Sequence, residues 1–401
     1  MTGQRRIYLD NAATTRPAAA VVERMSHAHL ELFGNPSSPH AFGPPAKRAL
    51  DDAREFLRGT LGAARLVFTS GGSEADLLGI VGAAAARSPG RVLMAQSDHP
   101  ALLQCERLLS RYRHHTTALP VTRDGDLAPE TLFDALGNDV RVVALMYGHN
   151  ELGTLCELQE LVEITRRAAP DAHIHVDLVQ TYGKLPFEIG DFDVDSVAVS
   201  GHKFHGPRGA GFLAMSSTAE VQPIQLAGGQ EGGLRGGTEN VAGAVGLATA
   251  AELAFTHQKN TERHTSELAA TVFDIVQEAM PEAMRLGAPD RRLPHILSMH
   301  LPDVVGETLM LRCDARGIAF SVGSACHGAD GKAPGDKKND KPDNHVLAAI
   351  GMTRQESREV VRLSFSAETT LDDAEDAADI LVEEALRLLR SAPAPSGGRR
   401  R

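Results

Sequence analysis

The chain of 401 residues is 42% hydrophobic and 4% aromatic, lacks Trp, and carries a formal net charge of −11. This length exceeds one ordinary core and predicts a large domain with a smaller one beside it, packed mainly by aliphatic side chains and Ala. The acidic balance argues against a broad nucleic-acid surface and leaves room for docking to a basic protein partner.

Cys105, Cys156, Cys313 and Cys326 form no C-x-x-C pair. That pattern speaks against a zinc site or a thioredoxin-like motif, and a chain this long needs no disulfide framework. Reduced thiols in a cytoplasmic protein are the expectation. The first residues contain no apolar signal region, and no apolar run is long enough for a bilayer, so no membrane association is expected.

Strand candidates lie at 65–68, 92–95, 140–146, 173–177, 196–200 and 211–215. Several are apolar runs with little alternation, as in strands covered on both faces. Segments of helical spacing, such as 74–87 and 157–169, lie between them. The pattern predicts an α/β fold: a large domain with a mostly parallel sheet covered by helices on both faces, plus a smaller α+β domain. We assign 16–255 to the large domain, 1–15 and 256–390 to the small domain, and 391–401 to a disordered tail. In the small domain, helical stretches such as 262–280 alternate with isolated strands at 295–300 and 360–364. Thr370 starts the last helix with Asp373 three residues on, as in a capping box.

The chemistry-bearing residues follow the strands. After 65–68 comes Thr69-Ser-Gly-Gly-Ser-Glu74, a glycine turn opening a helix, whose free N–H groups, with Gly72 and Ser73, suit an anion. The chain has no G-x-x-x-x-G-K-[ST] loop, which disfavours nucleotide triphosphates. His99 follows the next strand, where an imidazole could cover an aromatic ring and move protons. Asp177 ends the strand 173–177, at the sheet edge where open α/β sheets bind ligands. Lys203 follows the strand 196–200 in a short turn, where its amine can form a Schiff base with an aldehyde cofactor. Pyridoxal phosphate needs a carboxylate beside its ring nitrogen, which Asp177 would supply, and Gln180 could reach the ring hydroxyl. Each piece alone has a bland alternative: a surface lysine, a capping carboxylate, a structural histidine. Their joint occurrence in this order carries the reading.

The residues then resemble a known family. Leu9-Asp-Asn-Ala-Ala-Thr-Thr15, Gly34-Asn-Pro-Ser-Ser38, Thr69-Ser-Gly-Gly-Ser-Glu74, Asn150-Glu151, His175-Val-Asp177, Ser200-Gly-His-Lys203, Gly228-Gly-Gln-Glu231, Arg235-Gly-Gly-Thr-Glu-Asn240 and Gly323-Ser-Ala-Cys326 are similar to the cysteine desulfurases. These belong to the class V aminotransferase group of fold-type I pyridoxal-phosphate enzymes, and selenocysteine lyases are close relatives. The resemblance runs from residue 7 to about 388. It implies a homodimer with Lys203, Cys326 and His99 catalytic. Gly72, Ser73, Ser200 and His202 would hold the phosphate, joined by Thr238 from the other subunit. Asp177 would face the ring nitrogen, Gln180 and Asn150 would lie near the ring oxygen and substrate, and Asn11 and Arg362 would grip the substrate carboxylate.

The implied reaction converts L-cysteine to L-alanine. Lys203 moves the α-proton, the Cys326 thiolate attacks the substrate sulfur, and the persulfide passes to an acceptor protein or thiol, for iron–sulfur clusters or another sulfur product. Release of selenide from selenocysteine is the alternative. An ordinary transaminase would not need Cys326, and a non-catalytic scaffold would not need Lys203, Asp177 and His99. Cys105, Cys156 and Cys313 sit in apolar or helical patterns and read as small buried hydrophobes. The segment after Cys326, 328–344, is rich in Gly, Lys, Asp and Pro and reads as a tether or a surface loop. The sequence departs from the family pattern at Leu77, His149, Gly232, Gly236 and Ala367.

Overall fold

The structure, a computed structural model, describes residues 5–226, 228–323, 342 and 344–391. In chain order the strands are β1 (Ile7–Tyr8), β2 (Arg65–Thr69), β3 (Arg91–Ala95), β4 (His115–Leu119), β5 (Val140–Met146), β6 (His173–Asp177) and β7 (Ser196–Ser200). They continue with β8 (Gly211–Met215), β9 (Met284–Arg285), β10 (Ile296–His300), β11 (Ile318–Ala319), β12 (Ser321–Val322) and β13 (Val360–Ser364). Seven of them form one sheet in the order β2-β8-β7-β6-β5-β3-β4. Only β8 runs against the others, paired antiparallel to both β2 and β7. The sheet is therefore mostly parallel, and the fold is α/β.

The central strands are apolar because both faces are covered. Every residue of β6, β7 and β8 is buried, the pattern that helical layers on two sides impose. β4 has no such signature. Its sequence His-Thr-Thr-Ala-Leu lies at the sheet edge with only Leu119 buried, which is why hydrophobicity alone does not reveal it.

A second sheet, β12-β13-β10-β9, is antiparallel throughout. β1 pairs in parallel with β11 beside it. One hydrophobic cluster draws on residues between Val21 and Ala251. Another combines Ile7 and Leu9 with residues between Leu268 and Ala385. The helix Val241–Ala279 joins the two without a break, so a boundary at 255 falls inside it. It begins where Asn240 Oδ1 accepts the Gly243 N–H at 2.9 Å. At Gly246 a Cβ would come within 2.7 Å of Met25, so this glycine lets the helix Ala19–Glu31 pack closely. The final helix, Leu371–Ser391, starts on the expected reciprocal cap. Thr370 N donates to Asp373 Oδ2 at 3.1 Å, and Asp373 N donates to Thr370 Oγ1 at 3.0 Å.

Candidate active site

Because the strands other than β8 run the same way, β2, β3, β5, β6 and β7 all end on one rim of the sheet. The residues after those ends surround one cavity of about 500 Å³, within the size range of small-ligand sites. Gly72 and Ser73 line it from the β2 turn, His99 from β3, and Asn150 from β5. Asp177 and Gln180 line it from β6, and Ser200, His202 and Lys203 from β7. Asn11, Thr238 and Arg362 lie outside this lining, and Cys326 lies outside the described residues.

At one end the chain turns through Gly71 into the helix Gly72–Leu77, which continues in helical turns to Ala85. A Cβ on Gly72 would stand 2.6 Å from Val179 and 3.4 Å from Ser200. Glycine is thus what lets the backbone N–H groups of this turn meet the cavity beside the Ser200 hydroxyl. His202 joins them, its Nδ1 3.1 Å from Thr14 Oγ1, and Arg208 Nε donates to the same hydroxyl at 3.2 Å. Thr14, Arg208 and Asp76 line the cavity too, and reading the strand ends alone missed them. Thr14 stands in the Leu9–Thr15 motif and Arg208 closes the lysine turn. Asp76 had one signal, a carboxylate on an otherwise apolar helical face.

Lys203 Nζ donates to the carbonyl oxygens of Ala12 and Ala13, at 2.7 and 2.8 Å. The segment that contains Asn11 thus holds the lysine. Gln180 Nε2 donates to the Ala12 carbonyl at 2.9 Å. Asn11 donates to the carbonyls of Ser364 at 2.9 Å and Tyr8 at 3.3 Å, so its amide ties this segment to β13.

Asp177 is buried and accepts the Val179 N–H at 2.7 Å. Burial, with Asp76 next in effect, pushes its carboxyl up to about 8. Such an anion is costly until a cation pairs with it, and a protonated ring nitrogen is such a cation. Asp76 is itself raised by burial, and His175 Nε2 lies 3.2 Å from its Oδ1.

His99 is half-buried, and its Nδ1 accepts the Ala101 N–H at 3.1 Å. Burial, and then the charge of Lys203, lower it to about 4. It is therefore neutral at pH 7 with its proton on Nε2. His149 explains its own departure from the family pattern. Its Nδ1 accepts the N–H groups of Glu151 and Leu152, at 3.1 and 3.2 Å, so Nε2 carries the proton and donates to the Ser97 carbonyl at 2.9 Å. It ties the Asn150 turn to the His99 turn. Gly232 takes φ +65°, a conformation that strains other residues. Gly236 is buried, and its carbonyl accepts from Gln225 Nε2 at 3.2 Å. Leu77 packs on the cluster around Ile80, and Ala367 lines a neighbouring cavity of about 230 Å³.

Arg362 is buried on β13 and donates from Nη1 to the Asn150 carbonyl at 2.9 Å and from Nη2 to Asp10 at 2.8 Å. Its Nε is buried with no partner among the described residues. Cys105 and Cys313 are buried with thiols pushed up to about 12, and burial raises Cys156 as well. Inert, apolar roles fit these three.

An anion cradle at a helix start, a buried carboxyl that needs a cation, and a lysine at a strand end suit the phosphate, ring nitrogen and aldehyde of one molecule. The fold and this donor set define a pyridoxal-phosphate enzyme. The chain belongs to the class-V aminotransferase family, whose model matches residues 7–376. It is 33% identical over 392 residues to cysteine desulfurase IscS of Dictyoglomus turgidum, covering 97% of this chain and 96% of that one. It is 36% identical over 379 residues to cysteine desulfurase NifS of Azotobacter vinelandii, covering 92% and 89%. A solved NifS-like protein superposes with TM-score 0.85 at 29% identity, covering 94% of this chain and 99% of that one. SspA solved in complex with cysteine gives TM-score 0.76 at 28% identity, covering 90% and 99%. No helix among the described residues is long and apolar enough to cross a membrane.

Proposed function

We propose that this chain is a pyridoxal-phosphate-dependent cysteine desulfurase that converts L-cysteine to L-alanine and leaves the sulfur as a persulfide on Cys326. The observation that carries the reading is the single cavity shared by Lys203, Asp177, His99 and the Gly72–Ser73 turn, in a chain with full-length desulfurase relatives.

Gly72, Ser73, Ser200 and His202 would hold the cofactor phosphate, and Asp177 its ring nitrogen. When bound, the cofactor withdraws electrons from the carbon that loses a proton. Lys203 moves that proton at Nζ, which the Ala12 and Ala13 carbonyls keep at the cavity wall. His99, neutral with its proton on Nε2, exchanges protons with the substrate across the cavity. Arg362 and Asn11 orient the substrate carboxylate, the buried Arg362 guanidinium supplying the charge. The Cys326 thiolate attacks the substrate sulfur: the C–S bond of cysteine breaks, an S–S bond forms, and the carbon fragment leaves as alanine. An acceptor protein or thiol then collects the sulfur.

The same reading includes a homodimer and a cytoplasmic location. Thr238 is exposed and does not line its own chain's cavity, which suits service to a second subunit. Phe33 and Phe42 are 66% and 58% exposed, with ring centroids 5.2 Å apart, an apolar patch of the kind that subunit interfaces cover. Mass spectrometry of the holoenzyme after cysteine addition tests the reading. One sulfur atom should appear on the Cys326 peptide while alanine is released, and Lys203→Ala should abolish both. A Cys326→Ala enzyme that still forms persulfide at the wild-type rate overturns it.

A further inference from the structure

Asn344 makes more bonds than a helix cap needs. Its Oδ1 caps the helix His345–Ala349 by accepting the N–H groups of Val346 and Leu347, at 2.8 and 3.1 Å. Capping leaves the side-chain amino group over, and the structure uses it twice. Asn344 Nδ2 donates to Glu151 Oε2 at 2.7 Å and to the Gly323 carbonyl. Asn344 is 2% exposed and Glu151 9%. Burying a carboxylate against a neutral amide is costly, so packing alone does not account for Glu151 here.

Gly323 and Asn344 flank residues 324–343, which include Cys326. Gly323 is further fixed by its N–H, which donates to the Val360 carbonyl at 3.1 Å. A Cβ at Gly323 would stand 2.7 Å from the end of the Leu347 side chain, so glycine leaves this approach to the capped helix unobstructed. The other side of the network leads to the cofactor cavity. Glu151 follows Asn150, and His149 ties the Glu151 backbone to Ser97. His345 Nε2 lies 2.9 Å from the carbonyl oxygen of Asp98, the neighbour of His99.

We propose that Glu151 and Asn344 are positioning residues for sulfur transfer: they fix Gly323 and Asn344, the two residues flanking the stretch that includes Cys326, against the turns that carry Asn150 and His99. The proposal rests on the reading that Cys326 accepts the sulfur. It assigns the pair to transfer, not to cofactor binding or to the steps before the sulfur moves.

The test uses holoenzyme of wild type, Glu151→Gln, Glu151→Ala and Asn344→Asp, with two readouts. One is the cofactor absorbance and its rapid change on cysteine addition, which reports the early steps. The other is the rate of persulfide formation on Cys326. Gln keeps an oxygen for Asn344 and should stay within about 3-fold of wild type. Glu151→Ala leaves the Asn344 amino group short of an acceptor. Asn344→Asp keeps the cap but sets a carboxylate against Glu151. Both should slow persulfide formation about 10-fold or more, with the absorbance change intact. Persulfide formation at the wild-type rate in Glu151→Ala and Asn344→Asp overturns the proposal. So does parallel loss of the absorbance change, which would make the pair part of the cofactor site. If Glu151→Ala fails to fold, Glu151→Gln against Asn344→Asp decides. A wild-type enzyme that forms no persulfide would instead refute the proposed function.

Discussion

Arg362 donates from Nη2 to Asp10 Oδ1 at 2.8 Å while its Nη1 is held by the Asn150 carbonyl. The arginine is thus clamped between the N-terminal segment and the turn beside the cavity. If this guanidinium receives the cysteine carboxylate, Arg362→Ala should raise KM for cysteine roughly 10–100-fold, the cost of a charge-assisted hydrogen bond. The cofactor absorbance should not change. Initial rates of alanine formation against cysteine concentration check this.

His99 gives a prediction in pH. Burial and Lys203 lower it to about 4, so it becomes protonated only as the medium approaches that value. The profile of kcat/KM for cysteine should carry no His99 limb near 6.5. His99→Gln should reduce the rate roughly 10²–10⁴-fold across the neutral range. A limb near 6.5 that disappears in His99→Gln would contradict the assignment.

Asp177 predicts how the cofactor-free protein responds to pH. Its folded carboxyl titrates at about 8, well above the ordinary carboxylate range, so the folded state binds this proton more tightly than the unfolded chain. Its contribution to stability is therefore complete below the ordinary range and is lost as pH rises toward 8. Between pH 6.5 and 8.5 the melting temperature of cofactor-free wild type should fall more than that of Asp177→Asn. Bound cofactor should shrink the difference. Differential scanning calorimetry of both proteins, with and without cofactor, makes the comparison.

Thr238 allows a test of subunit sharing. Lys203→Ala and Thr238→Ala are each expected to be impaired, the second in cofactor affinity. If Thr238 serves the partner's site, a mixed dimer of the two variants contains one intact site, and mixing should restore alanine formation. If Thr238 serves its own chain, mixing restores nothing.

Much of this site was legible because β2, β3, β5, β6 and β7 are covered on both faces and therefore announce themselves as apolar runs. The residues just after each run fall on the same rim of a parallel sheet, so the order of Ser73, His99, Asp177 and Lys203 along the chain pointed to one shared place for them. The reversal of β8 was not legible, since Gly211–Met215 is as apolar as its neighbours and direction leaves no mark on composition. Nor was the full helix Val241–Ala279, whose first half is rich in Ala and Gly and yields a weak stripe. The clamp at Asn344 was hidden for another reason. Its partners Glu151 and Gly323 are 193 and 21 residues away, and no local pattern reports such a meeting. His149 departs from the family pattern, but only its bonds to Ser97, Glu151 and Leu152 show how an imidazole fills that place.

The pairing of β1 with β11 has a consequence for how the protein is made. Ile7 and Tyr8 are synthesised long before their strand partners, Ile318 and Ala319. Closing so long a stretch of chain is slow, and synthesis delays it further. The carbonyls of Ala12 and Ala13 that seat Lys203 lie just beyond this strand. The sheet rim can therefore form while the lysine still lacks its seat, and the nascent chain completes this site only after β11 has been made.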